Sequence, residues 1–359
     1  MIKIKTDMFK ALLSNAVKVC SFDKMLPLTE LIELKIEDNM LFIKTTDNIN
    51  TLILKQPLEG ENDNMRVVVD ANLINNLVNK ITTEFTELLL TDNTLLITGN
   101  GTYNLELRVD ESGEIIKFPE VSYDESKANI EFEFEALANK LETCSGAISV
   151  DDDLAEMCNY YLKDKVIATN TFKITSIDNI DELKTTELFI SRKLGKIIRS
   201  LILGKVKFYT EDNKVYFISQ SAILSGEINR DLDKYPLQSI LSFLDDTYAY
   251  HRTIEKGKLL ALIDRLTLFV FDYERNELDL TFTKDKLTAT NSKQTSNETI
   301  SYEGEDDLIE FICSVDLKCL KAQVESLNAE KVELYFGSDK TIKFVDGNIT
   351  AIVATQDEE

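Results

Sequence analysis

Few residues in this sequence are placed by type for chemistry. Asp151, Asp152 and Asp153 put three carboxylates side by side. Such a set suits a hard divalent cation or metal-assisted hydrolysis. It directly follows an apolar-periodic segment, however, and an acidic run there reads more simply as a solvated loop. Glu303, Glu305, Asp306 and Asp307 likewise read as a surface turn. His251 is the single histidine, and no adjacent serine, cysteine or aspartate constellation makes it a general base. The five cysteines, Cys20, Cys144, Cys158, Cys313 and Cys319, are odd in number and never spaced CxxC. That argues against a zinc site or a disulfide framework; Cys313 and Cys319 read as small core hydrophobes. No phosphate loop, zinc motif or nucleophile elbow occurs. The expectation is a non-enzyme with no catalytic residue, metal or cofactor.

One cluster remains, and its chemistry is electrostatic. Ser191 to Lys205 contains Arg192, Lys193, Lys196, Arg199 and Lys205 and no acid. Helical spacing puts Arg192, Lys196 and Arg199 on one face, opposite Leu194, Ile198 and Leu201. The chain as a whole is acidic: Lys+Arg 40 against Asp+Glu 63, a net charge of −23. That total argues against nucleic acid, which needs a basic footprint. The distribution points the other way, because the six helical segments together carry net positive charge and the acid lies elsewhere. Two readings stay open on charge alone. One is a set of solvated helix faces on an acidic protein. The other is a cationic inner surface facing a polyanion, with an acidic exterior that rejects non-specific contact.

The elements that position these residues form a long-period repeat. Three stretches read as a strand followed by an amphipathic helix: Ile4 to Cys20, Ile130 to Ser145, and Thr253 to Phe269. Their apolar residues keep helical spacing, as in Phe9, Leu12, Leu13 and Ala16, or Leu259, Leu262, Ile263 and Leu266. A second set begins with an apolar strand and a capping residue, Asp70, Ser191 or Ser314, 121 and 123 residues apart. Such residues accept the free N–H bonds of a first helical turn. The helices that follow carry Leu73, Leu77 and Ile81; Leu194, Ile198 and Leu201; and Leu317, Leu320 and Val324. Hairpins come next, turning at Asp92-Asn93, Asp212-Asn213 and Gly337-Ser338-Asp339. The fold class is therefore α+β, in three tandem repeats of two helices on antiparallel sheets, with domains at 1–122, 123–247 and 248–359.

Composition fits this picture. The 359 residues are 43% apolar and 29% charged, with 12 Gly, 4 Pro and no Trp, which excludes collagenous and mostly disordered chains. No apolar run approaches the ~18 residues of a membrane span. The first residues lack a signal-peptide apolar core, so no membrane role is expected and the default location is cytoplasmic.

Three repeats of two helices, with basic helices on an acidic body, resemble the bacterial sliding clamp, the DNA polymerase III β subunit. Local segments carry the resemblance in order: Met25-Leu26-Pro27-Leu28, Lys117-Phe118-Pro119-Glu120, Phe189-Ile190-Ser191-Arg192-Lys193 and Lys234-Tyr235-Pro236. The resemblance implies a DNA-clamp-type fold whose head-to-tail homodimer closes a ring around double-stranded DNA. It implies a processivity factor that tethers the replicative polymerase, with polymerase and clamp loader docking through short apolar peptides. Phosphate contacts then fall on Arg192, Lys193, Lys196 and Arg199, and secondarily on Lys10, Lys18, Lys256, Lys258 and Lys318. The dimer edge falls on Tyr103, Leu105 and Leu107, met by Leu268 and Phe269. The peptide pocket falls on Thr169, Thr171, Phe172, Lys173 and Ile174, with Cys158, Leu241 and Phe243 as floor and rim, and Val353 and Ala354 from the tail. Two departures stand out: Phe172 replaces a common histidine, and the tail ends in Asp357, Glu358 and Glu359 rather than apolar residues. The alternative is a ring-shaped scaffold or decoy that no longer loads productively on DNA.

Overall fold

A computed structural model describes residues 2–60, 62–229, 234–270, 276–303, 308–338 and 340–356. The expectations for Glu305, Asp306, Asp307, Asp339, Asp357, Glu358 and Glu359 lie outside the described residues. One order of elements, β-α-β-β-β-β-α-β-β-β, occurs three times. First come β1 (Ile2–Lys5), α1 (Thr6–Ala16), β2 (Leu31–Glu37), β3 (Met40–Thr46), β4 (Thr51–Pro57), β5 (Met65–Asp70), α2 (Ala71–Lys80), β6 (Phe85–Thr91), β7 (Thr94–Thr98) and β8 (Thr102–Glu106). The second set is β9 (Ile130–Glu133), α3 (Phe134–Cys144), β10 (Asn159–Leu162), β11 (Lys165–Thr169), β12 (Lys173–Asp178), β13 (Leu188–Ser191), α4 (Arg192–Ser200), β14 (Lys205–Glu211), β15 (Lys214–Ile218) and β16 (Ala222–Asn229). An extra helix, α5 (Leu237–Leu244), precedes the third: β17 (Tyr250–Glu255), α6 (Lys256–Thr267), β18 (Glu277–Phe282), β19 (Lys286–Asn291), β20 (Asn297–Ser301), β21 (Phe311–Asp316), α7 (Leu317–Glu325), β22 (Lys331–Phe336), β23 (Thr341–Asp346) and β24 (Ile349–Gln356). Among the described residues, no helix is long and apolar enough to cross a membrane.

The chain divides into two compact units. One comprises residues 1–136 and 193–228, the other 137–192 and 229–359, so the division runs through the middle repeat. The first unit holds an antiparallel sheet β1-β6-β7-β8 and a larger one ordered β5-β2-β3-β4-β16-β15-β14-β9. The second mirrors it with β13-β10-β11-β12-β24-β23-β22-β17 and β21-β18-β19-β20. Each large sheet is thus seamed where a strand of one repeat pairs with a strand of the next: β4 with β16, and β12 with β24.

Helix burial follows the apolar spacing, with informative differences. Leu137, Leu141 and Cys144 of α3 and Leu259, Leu262, Ile263 and Leu266 of α6 are buried as expected. In α2 the core face is Ala71, Ile74 and Val78, and Leu73 is 54% exposed. Both stripes satisfy helical periodicity; tertiary packing selects which one faces inward. The cap of α7 is Asp316, which accepts from the Cys319 N–H at 2.7 Å. The expected cap, Ser314, lies in β21 and bonds Asp279 instead. Asp70 caps α2 as read, accepting from the Leu73 N–H at 2.7 Å.

Packing at the first seam is tight enough to be tested. A methyl group on Gly226 of β16 would stand 2.7 Å from both Leu194 Cδ atoms and 2.8 Å from Asn50 Oδ1. Asn50 and Leu194 are themselves fully buried, so neither has room to give. Gly226→Ala is expected to cost about 1–3 kcal/mol, as overpacking does. The check is a lower urea midpoint at unchanged m.

Candidate nucleic-acid interface and partner pocket

The α4 helix carries the cationic face. Its buried arc is Leu194, Gly195, Ile197 and Ile198, which leaves Lys193 and Lys196 exposed and Arg192 and Arg199 half-buried at the flanks. Of the expected stripe, Lys196 is exposed and Arg192 and Arg199 are half-buried, and Lys193 joins Lys196 on the exposed side. Lys205 leaves the helix set altogether: it sits on β14, 2.7 Å from Glu131. Arg192 donates to the Ser149 carbonyl at 3.0 Å and to Asp152 at 3.1 Å. An arginine in a first helical turn opposes the helix dipole, and Asp152 offsets that. One member of the acidic triplet is thus a counterion, a role the sequence did not show.

The other cations divide by their partners. Lys10 stands 3.8 Å from Asp7, and Lys258 stands 2.8 Å from Glu255. Lys18 donates to Asn15 at 2.8 Å and to the Ser200 carbonyl at 2.6 Å, while Lys256 donates to the Leu327 carbonyl. Lys193, Lys196 and Lys318 are exposed, and none of them forms an ion pair among the described residues.

The residues of the expected pocket gather around one apolar cluster of the second unit. Ile174, Ile352, Tyr161, Ile167, Phe189, Tyr235 and Ile240 are buried together, with Leu241 and Phe243 packed on them. Helix α5, which the sequence reading missed, supplies Ile240, Leu241 and Phe243. Its apolar residues recur at helical spacing, so the signal was present but short. Thr169, Ile174 and Val353 are buried, whereas Phe172 is 56% exposed. Phe172 stands at the tip of a tight turn: Asn170 accepts from the Phe172 and Lys173 N–H groups at 3.2 and 3.1 Å, and Thr171 takes φ +78°. The Ala354 N–H donates to the Phe172 carbonyl at 2.8 Å, so the C-terminal strand ends beside the turn. Cys158 is not a member of that cluster; its thiol donates to the Asp151 carbonyl at 3.2 Å.

The expected dimer-edge residues lie at one strand, β8, and at one helix end, while β20 is the matching outer strand of the other unit. β8 pairs with β7 and β20 with β19. Leu105 is already buried in its own sheet's core, Tyr103 is half-buried, and Leu107 follows the end of β8. Leu268 and Phe269, just past α6, are 77% and 49% exposed.

Among the described residues, no group of three or more His, Cys, Asp or Glu is placed to hold a metal ion. Burial pushes the Cys20 and Cys313 thiols up to about 12 and Cys319 to about 11, with Asp70, Asp279 and Asp316 respectively adding to the shift. Fully buried Cys144 is raised further by the same cause. A thiol reacts as its thiolate, so these four are expected to resist alkylation at pH 8 in the native protein. Mass spectrometry after iodoacetamide checks this; rapid labelling of Cys20 or Cys313 contradicts it.

No protein-family pattern and no curated protein matches this sequence. Solved structures do match in fold. The DNA polymerase III subunit β of Pseudomonas aeruginosa superposes with a TM-score of 0.85 at 13% identity, covering 99% of this chain and 100% of that one. The β subunit from Thermotoga maritima gives 0.85 at 14% identity, covering 100% and 99%. The DNA polymerase sliding clamp of Bacillus subtilis gives 0.84 at 16% identity, covering 99% of each chain. The chain therefore has the bacterial sliding-clamp fold over its full length.

Proposed function

We propose that this chain, with its clamp fold, is a non-enzymatic sliding clamp. Two copies close head to tail around duplex DNA and tether a polymerase in the cytoplasm, each copy built of domains 1–122, 123–247 and 248–359. The observation that carries this reading is the repeated seam. Thr51 closes the β3–β4 hairpin opposite Thr46 and meets Ser225. Ile174 closes the β11–β12 hairpin opposite Thr169 and meets Ile352. Ser225 and Ile352 are equivalent, each one residue past the partner of Phe217 or Phe344. The two seams thus share one register. In the third repeat the equivalent of Thr51 is Asn297, opposite Thr290; in the first repeat the equivalent of Ser225 is Asn104, one past the partner of Ile97. These lie on β20 and β8, the edges left for a second copy. A heterologous contact of this kind closes a ring when its rotation allows, and it removes two exposed strand edges.

The helix ends support the same closure. Lys18 touches α4 through Ser200, and Gly146 approaches the Ala322 carbonyl of α7, where a Cβ would stand 3.3 Å away. Leu268 is their equivalent, counted from the start of α1, α3 and α6. Val19 and Ala147 are buried, whereas their equivalent Phe269 is half exposed. Leu268 and Phe269 then pack at the end of α2 in the partner copy.

Two experiments test this reading. Oxidised N104C/N297C protein is expected to run as a covalent dimer on a non-reducing gel, because Asn297 of one copy faces Asn104 of the other; each single variant stays a monomer on that gel. A primed-template polymerase assay with clamp loader supplied tests function. Stimulated, long products support the clamp. An intact ring without stimulation supports the scaffold reading.

A further inference from the structure

The proposed ring meets DNA through its helices, and the three repeats differ in what they offer there. The second and fifth residues of the second helix occupy equivalent places. They are Lys193 and Lys196 in α4, Lys318 and Lys321 in α7, and Asn72 and Asn75 in α2. Lys193, Lys196 and Lys318 are exposed, while Lys321 is engaged by Asp264 at 2.8 Å and Glu325 at 3.9 Å. Asn75 is tied into an amide network, accepting from Asn79 at 2.9 Å and from Ser14 at 3.4 Å. The sole cation of α2 is Lys80 at its last position, and exposed Leu73 adds an apolar side chain to the helix surface.

We infer that, among the second helices, phosphate contact is confined to those of the second and third repeats, through Lys193, Lys196 and Lys318, and that the matching face of α2 in the first repeat meets DNA with the uncharged amides Asn72 and Asn75. The inference rests on the clamp reading. Its physical basis is counterion release: a lysine that neutralises a phosphate frees a condensed cation, and a neutral amide does not. Duplex held by such a surface is drawn toward the second helices of the second and third repeats in preference to α2.

The test is fluorescence anisotropy of a labelled primed duplex with the full-length protein, titrated across a salt series. The parent is expected to bind with a clearly negative slope of log K against log salt. K193Q/K196Q and K318Q are expected to flatten that slope by about 0.9 for each phosphate no longer neutralised, roughly tenfold in affinity per phosphate near 0.1 M salt. N72A/N75A is expected to leave the slope unchanged, and N72K/N75K to steepen it. Equal flattening by N72A/N75A and K193Q/K196Q overturns the inference, as does an unchanged slope in the lysine variants while the parent binds. A parent with no salt-dependent binding, even when loader is supplied, overturns the clamp reading itself. Thermal melts of each variant separate these outcomes from misfolding.

Discussion

Replacing Leu268 and Phe269 with alanine is expected to convert the assembled protein into monomers. The two side chains are 77% and 49% exposed in the single chain, while the equivalent positions at both internal seams are occupied by contacts. Burying them at the proposed junction contributes about 2 kcal/mol each on area grounds, and a closed ring has two such junctions. Removing roughly 3–4 kcal/mol from each junction weakens dimerisation by several orders of magnitude. Sedimentation velocity at micromolar concentration checks this, with the parent at twice the 40.8 kDa chain mass and the variant at that mass. Monomer stability should hardly change, because neither side chain is buried in its own copy. A parent that sediments as a monomer at micromolar concentration contradicts the stable ring.

The second large effect concerns the proposed partner pocket. Phe172→Asp is expected to abolish binding of apolar peptides from the cognate polymerase, raising Kd at least tenfold without lowering Tm. Phe172 projects from a turn held by the Asn170 side-chain oxygen, which accepts from two backbone N–H groups, and by the Thr169 hydroxyl, which donates to the Lys173 carbonyl, so the fold does not depend on its ring. Ile174→Asp is a poorer probe. Ile174 is 7% exposed within the Tyr161–Ile352 cluster, and a carboxylate there would cost stability as well as binding. In the proposed pocket, Lys173 beside Phe172 is the rim's cation. Peptide titration followed by calorimetry checks the prediction; unchanged affinity in Phe172→Asp removes this residue from the pocket. No binding of any such peptide by the parent removes the pocket.

The repeat was legible because it is written in periodicity. First helices such as α6, with apolar residues three and four apart, and hairpins turning at Asp92-Asn93 and Asp212-Asn213 follow from local pattern alone. The phase of α2 did not, since Leu73 and Ile74 both continue a helical stripe and tertiary packing chooses between them. The cap of α7 was misread because Ser314 and Asp316 are both competent, and strand pairing of Ser314 with Asp279 uses up the first. Helix α5 is a single short apolar segment of eight residues, too brief for periodicity to separate it from a strand. The candidate site was visible as residue types but not as partners. Nothing in the run from Asp151 to Asp153 says that one carboxylate reaches Arg192, and nothing in the basic run says that Lys205 belongs to a strand. Long-range pairing decides both.

The central claim is that the protein holds DNA by encircling it, and retention on circular against linear DNA tests that most directly. Protein is loaded on a nicked circular template, passed through a sizing column at salt high enough to screen phosphate contacts, and passed again after a single cut in the DNA. A closed ring stays with the circle at that salt and is lost once the DNA has ends. Equal loss from circular and linear DNA, or equal retention on both, contradicts encirclement.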